Sequence, residues 1–148
     1  AQRGGSVVTF VRYGDKVYEP IVEEGQADVL IAFERLEALR YAHFLKKDGV
    51  MIVNDLRMDP MPVSIGAAQY PENIIENLKK KHQVISLDAQ ALAKEIGNAR
   101  VFNTIIIGVA AKRMDFAKED WLKVIEETVP QKTIEINTRA FEAGYALG

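Results

Sequence analysis

The fold of this chain follows from one stretch, Asp28-Val29-Leu30-Ile31-Ala32-Phe33, a nearly uninterrupted apolar run of strand length. Such a run is typical of a parallel strand buried on both faces, because a half-exposed strand alternates apolar and polar residues. The apolar spacing that follows predicts a helix over residues 34–47, with Gly49 as its left-handed cap. A second buried strand is predicted at residues 50–53, which completes a right-handed βαβ unit.

The segments around this unit extend it into a larger domain. β-Branched and aromatic residues predict a strand over 7–13, which returns as an antiparallel strand over 16–19. Farther along, the pattern predicts a helix at 71–81, a strand at 83–87, a helix at 89–96 between Asp88 and Gly97, a buried helix at 103–114, and helices at 118–128 and 133–147. A strand at 104–107 is the alternative to the buried helix, since three consecutive isoleucines favour β-structure. We therefore predict one α/β domain over residues 1–148, three-layered and Rossmann-like, with a mostly parallel central sheet.

The composition bounds the class of protein. Of the 148 residues, 48% are hydrophobic, which is enough to bury a core. The formal net charge is −2, so no long-range field attracts a polyanion and a nucleic-acid partner is not expected. No apolar run approaches the roughly 20 residues of a membrane span. We expect a cytoplasmic protein with no membrane partner.

Cysteine is absent from the sequence. This excludes disulfides, thiolate nucleophiles, and any iron–sulfur cluster or Cys-type zinc site held by this chain alone. Electrons of any redox reaction would have to pass through another polypeptide.

Few side chains are arranged for chemistry. The two histidines, His43 and His82, have no partner at the i+4 position, and the serines lack a Gly-x-Ser-x-Gly elbow. Paired carboxylates such as Glu23-Glu24 are typical of solvated faces. We predict no metal site and no catalytic residue in this chain.

One candidate binding feature is the opening segment, which comprises Gln2, Arg3, Gly4 and Gly5. A guanidinium followed by two glycines exposes backbone that can approach a charged ligand or another subunit closely. The alternative is a simple turn before a strand.

Two further features lie at the ends of predicted elements. Glu34 and Asn54 follow the two buried strands, and ligands of open parallel sheets lie at the carboxyl ends of strands. For Glu34, the alternative role is to cap the following helix. The polar segment 97–103 leads into the buried helix, and Asn103 either contacts a ligand or caps that helix.

Taken together, these features resemble the gamma-type domain of the 2-oxoacid:ferredoxin oxidoreductases. The opening Gln-Arg-Gly-Gly form is most similar to the indolepyruvate branch of that family, in its small (beta) subunit. The matching stretches occur in the family's order across nearly the whole chain: residues 2–8, 27–34, 49–54, 97–100 with Asn103, and 136–145.

The resemblance implies a subunit that is inactive alone and holds no cofactor by itself. Its large partner would carry thiamine diphosphate and iron–sulfur clusters. The complete enzyme would oxidatively decarboxylate an arylpyruvate such as indolepyruvate, form an acyl-coenzyme A and pass electrons to ferredoxin. The candidate residues named above would contact substrate, coenzyme A or the partner at the interface.

The family also has a glycine-rich strand-to-helix segment before the position of Gln2, so the domain is expected to be N-terminally incomplete in this sequence. Two alternatives remain open. One is the gamma subunit of a pyruvate- or 2-oxoglutarate-type enzyme. The other is a stand-alone α/β module that binds a small anionic ligand or a protein partner.

Overall fold

Three parallel strands form the centre of the molecule in a computed structural model that describes residues 6–148. The strands are β1 (Ala27–Ala32), β2 (Leu45–Asn54) and β3 (Gln83–Leu87), in the spatial order β1-β2-β3. Both pairings are parallel. The predicted parallel α/β fold is confirmed.

Seven α-helices surround this sheet in the described part of the chain. They are α1 (Arg35–Tyr41), α2 (Met61–Ser64), α3 (Ile74–Lys79), α4 (Ala89–Ile96), α5 (Phe102–Ala111), α6 (Lys118–Thr128) and α7 (Ile134–Leu147). Short 3₁₀ turns precede β2, α5 and α7, at Ala42–Phe44, Ala99–Val101 and Gln131–Thr133.

The helices cover the two faces of the sheet separately. Helices α1 and α3 pack on one face, where Met51 and Val53 of β2 are fully buried. Helices α4 and α5 pack on the other face, around Ile52. Helix α7 lies behind α5, with α6 beside it. This arrangement confirms the predicted three layers, since successive residues of a strand point to opposite faces.

Several predicted elements are confirmed in detail. Asp88 caps α4 by accepting a hydrogen bond from the amide of Ala91 at 2.9 Å, and Gly97 ends that helix with φ of 110°. The strand alternative for residues 104–107 is wrong, because these residues lie within α5 and pack against neighbouring helices.

The predicted helix over 34–47 is too long, because β2 already begins at Leu45. Gly49 is therefore a strand residue and not a helix cap. A Cβ atom there would lie 3.0 Å from the carbonyl oxygens of both Ala27 and Asp28, so the glycine permits close approach of the two strands. Lys46 also belongs to the strand, where its ammonium group pairs with Asp28 at 2.6 Å.

Residues 71–81 form a shorter helix than predicted. Asn73 adopts a left-handed conformation with φ of 54°, and α3 begins only after it. The helix predicted to open at Pro71 thus begins at Ile74, because a left-handed residue cannot continue a right-handed helix.

The predicted strands at 7–13 and 16–19 are wrong. Residues 6–24, called the arm below, contain no strand. The arm is held to the body by side chains: Ser6 bonds to Glu37, and Phe10 packs on Phe44 with ring centroids 5.4 Å apart. Its β-branched residues find no strand to pair with in the described chain, and strand propensity is realised only when a neighbour is present.

Candidate functional site

Glu34 joins three segments at the carboxyl end of β1. Its side chain accepts hydrogen bonds from the amides of Leu36 at 2.6 Å and Glu37 at 3.1 Å, so it caps α1. It also accepts from the amide of Met58 at 3.2 Å and from the hydroxyl of Tyr70. The residue is only 7% exposed. Both carboxylate oxygens therefore accept hydrogen bonds from within the chain. Glu34 caps α1, as the alternative role proposed, and it also holds the loop residues Met58 and Tyr70.

Asn54 performs a similar task at the end of β2. Its side-chain amide donates to the carbonyl of Phe33 at 3.1 Å, and its carbonyl oxygen accepts from the amide of Ala89 at 3.1 Å. Asn54 is fully buried. It thus ties the end of β1 to β2 and to the start of α4.

The remaining predicted site residues lie apart from these two. Asn103 is exposed in the first turn of α5, and Val101 occupies the cap position, so the capping role predicted for Asn103 is wrong. Asn98 is the capping residue nearby, since it accepts from the amide of Arg100 at 2.9 Å. Gln2, Arg3, Gly4 and Gly5 lie outside the described residues.

A cavity of about 1080 Å³ opens next to Tyr70 at the carboxyl-terminal side of the sheet. It lies between the loop after β2, helix α3 and the end of β3. Its lining includes three cations and three carboxylates, together with polar and apolar side chains: Arg35, Arg57, Lys79, Asp55, Glu72, Glu76, Gln69, Asn73, Ser86, Tyr70, Pro71, Ile74, Ile75 and Val63.

The cations of the cavity are largely neutralised by internal partners. Arg35 forms an ion pair with Asp55, and Arg57 pairs with Asp59 at 2.6 Å. Within residues 6–148, no carboxylate lies within 4.0 Å of the ammonium group of Lys79. The cavity is therefore balanced in charge: within residues 6–148, Lys79 and the carboxylates Glu72 and Glu76 form no ion pair and remain available to a ligand.

Tyr70 forms a rigid part of the cavity wall. Burial, together with its hydrogen bond to Glu34, raises the pKa of the Tyr70 phenol far above its ordinary value of 10.0. The guanidinium carbon of Arg57 lies 4.5 Å from the centre of the Tyr70 ring, and the bond to Asp59 raises the pKa of Arg57. Tyr70 consequently stays protonated near neutral pH and acts as a hydrogen-bond donor.

Sequence reasoning missed Arg57 and Arg35. Sequence position was the available signal for Arg35 and for its partner Asp55: Arg35 follows Glu34 and Asp55 follows Asn54, the two residues selected at the ends of the buried strands. The hydrogen bond from Tyr70 to Glu34 was not predictable, since the two residues are 36 positions apart in the sequence.

The loop over this cavity exposes apolar side chains. The side chains of Met58, Met61 and Ile65 are all largely exposed to solvent. Flexible, polarisable methionines are common on binding surfaces, because they adapt to a partner's shape. We call these three residues the methionine surface.

The described residues hold no evident metal centre. No group of three or more His, Cys, Asp or Glu side chains within 6–148 is placed to hold a metal ion. The 148 residues supply no cysteine thiolate as a ligand for an iron–sulfur cluster. Over the same residues, no helix is long and apolar enough to cross a membrane.

The layered fold, with its polar cavity at the carboxyl ends of parallel strands, defines a Rossmann-like α/β domain. A family model described as pyruvate ferredoxin/flavodoxin oxidoreductase matches residues 1–147. The chain belongs to this family.

Two related proteins agree with this family assignment. The chain is 41% identical to indolepyruvate oxidoreductase subunit IorB of Thermococcus kodakarensis over 97% of its length and 74% of the relative's. It is also 41% identical to the protein of the same name from Archaeoglobus fulgidus, over 98% of this chain and 74% of the relative.

Two solved structures share the fold at 24% sequence identity. One is the gamma subunit of a keto/oxoacid ferredoxin oxidoreductase from Geobacter sulfurreducens, with a TM-score of 0.61 over 86% of this chain and 67% of that one. The other is the pyruvate oxidoreductase subunit PORC of Thermotoga maritima, with a TM-score of 0.56 over 80% of this chain and 62% of that one. At this identity, they support the fold alone.

Proposed function

We propose that this chain is the small subunit of an indolepyruvate:ferredoxin oxidoreductase. The observation that carries the proposal is the match to subunits named for indolepyruvate oxidoreductase, which extends over 97% or more of the chain at 41% identity. The reaction would convert an arylpyruvate and coenzyme A into an arylacetyl-coenzyme A and carbon dioxide. The two electrons released would reduce ferredoxin in the cytoplasm.

The redox centres of this enzyme belong to a second polypeptide. This chain has no cysteine for a cluster, and no nucleophile is paired with a base in the cavity of residues 6–148. We propose a larger subunit that carries thiamine diphosphate and the iron–sulfur clusters. The present chain is inactive alone and completes the enzyme by assembly.

The cavity and the methionine surface are the proposed contact region with the larger subunit. Both lie at the carboxyl-terminal side of a parallel sheet, where open α/β domains bind ligands. An exposed set of two methionines and an isoleucine is suited to burial against another protein.

Coenzyme A does not fit the cavity as a site complete in itself. The lining carboxylates equal the cations in number, so a polyanionic ligand gains little net attraction. We therefore propose that coenzyme A or substrate is enclosed only in the complex, with Arg3 beside Gly4 and Gly5 as the cationic contact. Asn103 is the exposed polar residue that we assign to the same enclosure.

The first test is assembly. The full chain, used as bait in cells that contain the larger subunit, should recover that subunit in stoichiometric amount. The complex should then reduce ferredoxin or a viologen dye with indolepyruvate and phenylpyruvate. A preference for pyruvate or 2-oxoglutarate would contradict the indolepyruvate assignment. A solitary protein without activity would favour the stand-alone module.

Variants can locate the contact region. Met61→Lys combined with Ile65→Lys should weaken recovery of the larger subunit, because two charges would be buried in the interface. Val124→Lys, at an exposed position of α6, is the matched control.

Arg3→Ala should raise the KM for coenzyme A in the complex, with Lys123→Ala on α6 as its control. Unchanged recovery and KM in these variants would exclude the proposed contacts.

A further inference from the structure

A single carboxylate closes the loop between β2 and α3. One oxygen of Glu34 accepts hydrogen bonds at both ends of this loop, from the amide of Met58 at 3.2 Å and from the hydroxyl of Tyr70. The other oxygen accepts from two amides at the start of α1. Residues 58–70, called the clamped loop below, are therefore tied at both ends to one buried side chain.

The clamped loop is ordered by hydrogen bonds of its own backbone. The carbonyl oxygen of Pro62 accepts from the amides of Ala67 at 2.8 Å and Ala68 at 3.0 Å. The amide of Ile65 donates to the carbonyl oxygen of Met61 at 3.0 Å. Compact surface loops with close ends and internal packing are often functional.

Burial contributes little to this order. Within residues 59–69 no side chain is fully buried, and only Pro60 and Val63 are half-buried. Tyr70, at the end of the loop, is 9% exposed, and the guanidinium of Arg57 packs on its ring at 4.5 Å. The closed conformation therefore depends on the anchoring of the two ends, and loss of the Tyr70 hydroxyl should open the loop while the core stays packed.

The clamped loop carries the methionine surface. Met58 is 63% exposed, Met61 is 66% exposed and Ile65 is 69% exposed. A binding segment that is already ordered in the free protein loses less conformational entropy when its partner binds. When only a fraction of the molecules has the binding conformation, the apparent affinity falls by that fraction.

We propose that Glu34 is a positioning residue for assembly, which holds the clamped loop in its binding conformation before the larger subunit arrives. The partner surface is an apolar recess of that subunit, which receives Met61 and Ile65. The inference rests on the proposed function, because it takes the larger subunit as the partner. Opening of the loop should slow association. It should leave dissociation unchanged, because the loop is closed in the complex.

The first measurement is hydrogen exchange of the full chain by itself. The amides of residues 63–68 all donate within the clamped loop, and in Tyr70→Phe they should exchange at least tenfold faster than in wild type. Thr104→Val is the matched control. It also removes a hydroxyl that donates to a side-chain oxygen, that of Asn137 at 2.7 Å, and it should leave exchange in the loop unchanged.

The second measurement is competition for the larger subunit. Wild-type and Tyr70→Phe chains with different tags are produced together with a limiting amount of that subunit. The variant's share of the complex should fall about tenfold, whereas Thr104→Val should compete as wild type does. Dissociation is measured by diluting labelled complex into excess unlabelled wild-type chain, and its rate should be the same for Tyr70→Phe and wild type.

A second variant opens the loop without touching Glu34 or Tyr70. Gly66 has φ of 76°, and a Cβ atom there would meet no atom within 4 Å, so Gly66→Ala disfavours only the local backbone conformation. It should also speed exchange and slow association. Gly25, just after the arm, has φ of 71° and equally free space, so Gly25→Ala is its matched control. If Tyr70→Phe fails to fold, as judged by circular dichroism, Gly66→Ala decides.

The results separate this inference from the proposed function. Faster exchange with normal competition in both loop variants would overturn the inference and leave the proposed function intact. Faster dissociation of Tyr70→Phe would assign Tyr70 a direct contact with the larger subunit and contradict a positioning role for Glu34. Unchanged exchange in the free chain would show that Glu34 does not close the loop. A wild-type chain that recovers no larger subunit would reject the proposed function itself, and the inference with it.

Discussion

At the scale of single residues, Glu34 organises the carboxyl-terminal side of the sheet. One buried carboxylate holds the start of α1, the amide of Met58 and the hydroxyl of Tyr70. A buried carboxylate is tolerated only when its oxygens are satisfied by donors. Glu34 therefore fixes the loop that forms the cavity wall, and the same loop carries the methionine surface.

The hydrogen bond from Tyr70 to Glu34 should contribute measurably to stability. Tyr70→Phe removes a donor to a buried carboxylate, and we expect the free energy of unfolding to fall by about 1–3 kcal/mol. Urea denaturation followed by circular dichroism measures the difference. Tyr18→Phe, at a largely exposed position, is the matched control and should have no effect. An equal loss in both variants would show that the Glu34 contact contributes nothing.

Tyr70 should also make stability depend on alkaline pH. Its pKa is raised in the folded state above the ordinary value of 10.0, mainly by burial and then by the bond to Glu34. Above that value the unfolded chain releases the proton while the folded chain keeps it. Stability should therefore be complete below pH 10 and fall as the pH rises above it.

The measurement is the free energy of unfolding of wild type and Tyr70→Phe between pH 9 and about 11.5. Wild type should lose stability more steeply, and the difference between the two proteins should shrink as the pH rises. Parallel curves would contradict a raised pKa for Tyr70.

At the scale of elements, the packing of α5 against α7 depends on two glycines. A Cβ atom at Gly108 would lie 2.2 Å from the carbonyl oxygen of Phe141. At Gly144 it would lie 1.9 Å from the carbonyl oxygen of Ile105. Both obstacles are backbone atoms, so neither helix can yield by a side-chain rotation. The glycines therefore set the distance between the helices.

Gly144→Ala should force these helices apart. The expected loss is about 3 kcal/mol, at the upper end of the usual cost of overpacking, because the clash is with backbone. Thermal and urea denaturation would report it. Ala146→Ser adds one atom at an exposed position of the same helix and should be nearly neutral. A stable Gly144→Ala protein would mean that α7 can shift freely on α5.

At the scale of the whole molecule, the sheet connects two cores. One face of β2 belongs to the core under α1 and α3, and the other belongs to the core under α4 and α5. A third cluster lies between α4, α5 and α7, and helices α6 and α7 add a fourth around Phe141 and Trp121. Because α5 packs against both the sheet and α7, loss of either neighbour exposes apolar surface of α5.

We expect the described residues to unfold as one cooperative unit. Trp121 is the only tryptophan of the chain and reports on the cluster farthest from the sheet. At a fixed protein concentration, its fluorescence and the far-ultraviolet circular dichroism should give the same denaturation midpoint. An earlier fluorescence transition would show that α6 and α7 separate from the sheet before it unfolds.

Much of the fold and little of the site could be predicted from the sequence. The strands β1 and β3, residues 50–53 of β2 and the helix between Asp88 and Gly97 were predicted, because apolar runs and capping residues act over a few neighbours; the first five residues of β2 were not. Glu34 and Asn54 were selected because they follow the buried strands, and the structure shows both buried and hydrogen-bonded within the chain, while their contact with a ligand stays a prediction. Their hydrogen-bond partners were not predictable.

The sequence by itself determined the layered parallel domain and, through its matching stretches, the family. Tertiary structure decided where β2 begins, since Gly49 lies within that strand, where the carbonyl groups of Ala27 and Asp28 pass close beside it. It also decided that Glu34 accepts a hydrogen bond from Tyr70, and that residues 7–13 form no strand in the described chain. The physical reason is the distance along the sequence over which each interaction acts. Propensity and capping act between near neighbours, whereas pairing, burial and close approach need a partner that only the folded chain brings near.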